Sequence, residues 1–122
     1  MQNTESDDRF KASIVATILD CKTEKAIMLL SERYRVDVPK LGVGTTKRHS
    51  KGVLAVYSAD RREIRAVSSD YFYDPFVMLH EFYHHLRQFA GKHRGTEKNA
   101  DRFALDYIEA YRRVTSESPA TK

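Results

Sequence analysis

Residues 74–91, DPFVMLHEFYHHLRQFAG, leave the backbone little choice. Asp74 followed by Pro75 is a strong helix start: an Asp-type cap, then a proline whose fixed φ suits the first helical position. Gly91 is the natural stop. Between them Leu79, Phe82, Tyr83, Leu86 and Phe89 supply apolar positions, so the sequence predicts one helix from Pro75 to about Ala90, packed into the core. Within six positions it also carries His80, Glu81, His84 and His85.

The flanking segments can cover such a helix. Phe10, Ile14, Val15 and Ile18 recur at helical spacing from Asp8, and Ala26, Ile27, Leu30 and Tyr34 form a second helical set that Thr23 can cap. VDVPKLGVGTTKRHSKG (36–52), with Pro39 and three glycines, reads as a loop. GVLAVYSAD and EIRAVSS are two β-prone runs around Arg61–Arg62 and predict a hairpin or adjacent antiparallel strands. Thr96 can cap a last helix with Ala100, Phe103, Ala104, Tyr107, Ile108, Tyr111 and Val114 on one face. The expected fold is α/β, of the α+β kind: N-terminal helices, a small antiparallel or mixed sheet, then two helices. The chain of 122 residues divides into a tail (1–7), one domain (8–114) and a tail (115–122).

His80 and His84 are four apart, so their rings project from one face, one turn apart. Two imidazoles so placed can share a tetrahedral zinc ion. Glu81 lies one step round, within reach of the proton of a metal-bound water. Zinc lowers the pKa of such a water toward about 7, and a glutamate takes the proton as the oxygen attacks a carbonyl. HEFYH is thus an HExxH arrangement. His85 points about 100° away from His84 and is expected at the surface.

A catalytic zinc needs a third protein ligand. A histidine six residues beyond His84 would supply one, but Ala90 stands there; His93 falls in a loop with poor spacing. The single cysteine, Cys21, rules out a multi-cysteine site and is expected to be a half-buried structural thiol. Carboxylates remain. Glu97 and Asp101 are four apart, beside the apolar stripe of the last helix, where a carboxylate pair is costly unless satisfied. Two readings are open. Glu97 is a third zinc ligand, with Asp101 accepting a hydrogen bond from the far nitrogen of a ligand histidine. Or Glu97 is a first-turn glutamate favouring the helix dipole and Asp101 a surface charge.

HEFYH followed by EKNADRFA resembles the gluzincin signature, HExxH then ExxxD. The second motif is similar to that of prenyl-type and repressor-degrading peptidases, and the short chain looks like the minimal soluble members, the minigluzincins. The resemblance covers roughly residues 52–112. It implies a zinc-dependent metallopeptidase acting on peptide or protein substrates, with His80, His84 and Glu97 as ligands, Glu81 as general base and Asp101 supporting a ligand. It also implies that a strand before the zinc helix, one of GVLAVYSAD or EIRAVSS, is an edge that pairs with an extended substrate. Tyr57, Tyr73, Tyr107 and Tyr111 are the candidates for stabilising the oxyanion, although the stripe holding Tyr107 and Tyr111 has the character of a core.

Other classes are weighed by the same residues. A deformylase-like site needs a cysteine ligand, and Cys21 alone is available. The net charge of +4 gathers in KRHSK (47–51), Arg61–Arg62 and KHR (92–94), which permits weak nucleic-acid contact through basic loops, or else marks solvated turns. A latent zinc-holding domain is a further alternative. No run of 18 apolar residues predicts a membrane span, and the acidic, polar start lacks the pattern of a signal peptide, so an intracellular, cytoplasmic protein is expected.

Overall fold

The computed structural model describes residues 4–44, 52–89 and 97–117. Helix α1 (Thr4–Leu19) and helix α2 (Thr23–Tyr34) lead into strand β1 (Lys40–Val43). Strands β2 (Ala55–Ser58) and β3 (Glu63–Ala66) follow, then a one-turn helix α3 (Ser69–Phe72), helix α4 (Pro75–Phe89) and helix α5 (Glu97–Glu117). Among the described residues the fold is therefore mixed α+β, five helices around a three-stranded sheet of order β1-β3-β2. Ala90, Gly91, His93 and Thr96 lie outside the described residues, as do KRHSK and KHR.

Helix α4 starts as expected. The Val77 amide donates to Asp74 Oδ1 at 3.2 Å, and the Met78 amide to the Asp74 carbonyl at 3.0 Å. Met78, Leu79 and Phe82 are fully buried and meet Ile14, Ile18, Ile27, Leu30, Ile64 and Tyr107 in one core. Helix α5 packs against both α1 and α4. Its buried Ala100 and Ala104 are methyl-sized, which lets its backbone come close to its neighbours.

Several expectations are corrected. Helix α1 begins at Thr4 rather than Asp8, and Asp7 in its first turn suits the positive end of a helix. Asp7, assigned to a tail, lies inside it and pairs with Lys11 (3.3 Å) and Arg33 (3.1 Å). Helix α5 runs past Val114 to Glu117; nothing in the sequence breaks it before Pro119. Part of the 36–52 loop is strand β1, parallel to β3. Gly42, which reads as a breaker, stands opposite Arg65, and a Cβ there would lie 2.7 Å from Arg65 Nη2. The glycine thus makes room for the guanidinium, which donates to the Val43 carbonyl (3.1 Å) and to Glu63 Oε2 (3.0 Å). Cys21 is exposed, not half-buried. It takes the left-handed position (φ 63) that ends α1, and this turns its side chain outward.

Thr23 does not cap α2. Thr23 is 1% exposed, and its hydroxyl donates to the Phe72 carbonyl at 2.9 Å, joining the start of α2 to the end of α3. Thr23→Val keeps the shape but strands that buried carbonyl, so unfolding free energy falls by about 1–3 kcal/mol. The urea midpoint measures this; a midpoint equal to the parent's at unchanged slope disproves the role given to the hydroxyl.

Candidate metal centre

His80 and His84 are on α4, and Glu97 and Asp101 are on the first turn and a half of α5. Contact between the two helices brings all four together. Glu97 spans the two imidazoles: Oε1 lies 2.7 Å from His80 Nε2 and Oε2 lies 3.3 Å from His84 Nε2. One donor atom from each of His80, His84 and Glu97 falls within 4.8 Å of the others, a separation that a single small ion can bridge. Asp101 Oδ1 lies 2.9 Å from His80 Nδ1, on the far side of that ring.

This set suits a cation. The Asp101 carboxylate accepts a hydrogen bond from Nδ1–H of His80, the tautomer that leaves a lone pair on Nε2. That lone pair then faces a Glu97 oxygen, an arrangement that is repulsive unless a proton or a metal ion lies between them. Burial holds the pKa of His84 below its ordinary value, against the raising effect of Glu97, which favours the neutral form that binds metals. The chemistry of two imidazoles and one carboxylate fits zinc.

Glu97 and Asp101 are not costly buried carboxylates. Their side chains are 77% and 52% exposed, so the apolar stripe leaves them at its rim. The physical case for a metal rests on their convergence with the histidines.

Glu81 differs: its side chain is 12% exposed and its Oε2 lies 4.0 Å from His80 Nε2. Burial pushes its pKa up to about 7; the neighbouring His80 and the Tyr57 backbone N–H pull it down, while Glu97 pushes it further up. A carboxyl with its folded pKa above the unfolded value holds the proton more tightly when folded. Its contribution to stability is therefore present below about pH 4.5 and is lost as pH rises to about 7. By pH 8 the ionised group costs the metal-free chain on the order of 3 kcal/mol. Metal-free Glu81→Gln should then gain stability over the parent between those pH values and keep the gain above them. Parallel denaturation curves from pH 4 to 8 contradict the environment described for Glu81.

Strand β2 is one edge of the sheet and faces α4. Of the two runs expected to supply an edge, GVLAVYSAD does so, while EIRAVSS forms the central strand β3. The Val67 amide donates to the Leu54 carbonyl at 2.9 Å, which turns the main chain of 54, 56 and 58 toward β3 and that of Ala55 and Tyr57 outward. Two hollows share Glu81 and Glu97 in their walls. One, of about 480 Å³, lies between Val56, Tyr57 and Ala59 of the edge and Glu81, His84 and Gln88. The other, of about 260 Å³, lies between Leu54, Phe76 and Val77 and His80, Glu81 and Asp101. A third hollow, between Leu19, Lys25 and Tyr111, contains none of these ligands.

His85 was expected at the surface; it is fully buried. Its place on the stripe 78, 82, 85 is the signal that could have found it. The tyrosines divide. Tyr107 is core, its hydroxyl 2.6 Å from that of Tyr34, and burial raises its pKa. Tyr111 lines the hollow beside α1, and Tyr73 is exposed and edge-on to Phe72. Tyr57 alone lines the ligand cleft, and its hydroxyl lies 2.9 Å from His85 Nδ1. Cys21, at the turn between α1 and α2, is outside the ligand group. Of the basic stretches, Arg61 and Arg62 are described and exposed, and Arg62 pairs with Asp37 at 3.5 Å. No described helix is long and apolar enough to cross a membrane. Comparison with family models, curated proteins and solved structures finds no match to this chain.

Proposed function

We propose that this protein is a zinc-dependent metallopeptidase, a minimal chain of the gluzincin type, that hydrolyses peptide bonds in extended segments of peptides or proteins. The observation that carries the reading is the Glu97 carboxylate bridging His80 and His84, with Asp101 behind His80. The order of the HExxH and ExxxD motifs supports the family.

Zinc, when bound, supplies Lewis acidity, which polarises a carbonyl and acidifies water. The chain's own residues do the rest. Asp101 fixes the tautomer and orientation of the His80 ring. Glu81, screened from solvent and with its pKa lifted toward neutrality, accepts a proton from the attacking water and returns it to the leaving nitrogen. The outward main-chain groups of Ala55 and the Tyr57 carbonyl offer an extended substrate a strand to pair with, the Tyr57 N–H being held by Glu81, and the hollows on either side of Glu97 accept its side chains.

Purified protein should carry about one zinc per chain, as three protein ligands with one position left for water imply. Hydrolysis of fluorescein-labelled casein should stop on chelation and return with zinc. Casein cleavage indifferent to chelator, or zinc content unchanged in both His84→Ala and Glu97→Ala, rejects the reading.

A further inference from the structure

His85 follows a proposed ligand in sequence but faces the other way, and it is fully buried. Its Nε2 lies 2.7 Å from the Asp37 main-chain carbonyl, which has no proton to give, so Nε2 carries the hydrogen. The tautomer with its hydrogen on Nε2 leaves Nδ1 as the acceptor, and the Tyr57 hydroxyl donates to it at 2.9 Å. The Tyr57 ring also stands edge-on to the imidazole, with centroids 5.4 Å apart. His85 therefore joins α4, the segment before β1 and strand β2.

Strand β2 is four residues long and is bonded to the sheet along one side, to β3. Apolar contacts limit how close it comes to α4 but do not set its angle; a hydrogen bond does. His85 is one helical turn beyond Glu81, on the side that meets β2. We propose that His85 is a positioning residue: through the Tyr57 hydroxyl it holds the outer edge of β2 at a fixed height against Glu81 and His84. The part played by that edge in substrate binding rests on the peptidase reading; the tether between helix and strand does not.

The test uses the full zinc-loaded chain and three variants. Tyr57→Phe removes the donor. His85→Gln places an amide donor near Asp37 and loses the acceptor for Tyr57. His85→Asn places an acceptor where Nδ1 stands and loses the reach to Asp37. Amide exchange of Val56 and Ser58, which face β3, should quicken about fivefold in Tyr57→Phe and His85→Gln, the change in open population for one lost hydrogen bond, with α1 and α5 unaffected. His85→Asn should stay nearer the parent. In casein hydrolysis the same two variants should raise apparent KM about fivefold with little change in kcat, because an edge that binds ground and transition states alike acts on KM. General loss of folded protein instead speeds exchange everywhere and lowers kcat at constant KM. Unchanged exchange in β2 overturns the tether. Faster exchange with unchanged KM overturns its service to the substrate edge. If the parent does not cleave casein, the peptidase reading fails and the exchange pattern still decides the tether.

Discussion

Replacing Glu81 with glutamine should leave zinc and fold in place and slow casein hydrolysis by about 10²–10⁴-fold, the usual contribution of a positioned general base. The expectation follows from the division of roles within five residues. His80 and His84 present Nε2 atoms to Glu97, while Glu81, between them in sequence, has its carboxyl 4.0 Å from His80 Nε2 and buried against the sheet edge. Glutamine has the same shape and can still accept from the Tyr57 amide, but it cannot take a proton near neutral pH. The loss should fall on kcat, since the walls of the cleft stay in place. Zinc content by metal analysis and the far-ultraviolet spectrum act as controls. Parent-like cleavage by a zinc-loaded Glu81→Gln protein refutes the mechanism, whatever the metal does.

The second large effect separates Glu97 from Asp101. Both meet His80, but at opposite nitrogens: Glu97 at Nε2 (2.7 Å) and Asp101 at Nδ1 (2.9 Å). Glu97 alone also reaches His84. Asp101→Asn can still hydrogen-bond the ring but no longer holds a full negative charge behind it, and zinc affinity should fall roughly 10–100-fold. Glu97→Gln takes the anionic ligand out of a three-ligand set and should fall further in the same chelator competition. The reverse order exchanges the two roles. If Asp101→Asn binds zinc like the parent, that residue returns to the solvated surface.

How far these features were legible follows from their range along the chain. The start of α4, the shared face of His80 and His84, the one-turn spacing of Glu97 and Asp101, and the β2–β3 pair are local, and backbone geometry sets them within a few residues. A sequence read alone determines these, together with the α+β class. It did not place β1, whose partner β3 lies more than twenty residues on and whose Gly42 makes space for Arg65 rather than a turn. Nor did it say which run forms the edge, since both β2 and β3 suit a half-buried strand. Cys21 and His85 were assigned the wrong environments for one reason: burial belongs to what packs on a residue, and neither the outward turn at φ 63 nor the approach of Asp37 and Tyr57 is written beside them. The meeting of α4 with α5 is the same kind of fact. Residues 80 and 97 are far apart in sequence, and their contact comes from two helix faces closing over Ala100 and Ala104. The sequence by itself determined which side chains can bind a metal and on which faces they stand. Only the tertiary structure decided that those faces meet, because long-range packing, not local geometry, sets the distance between two helices.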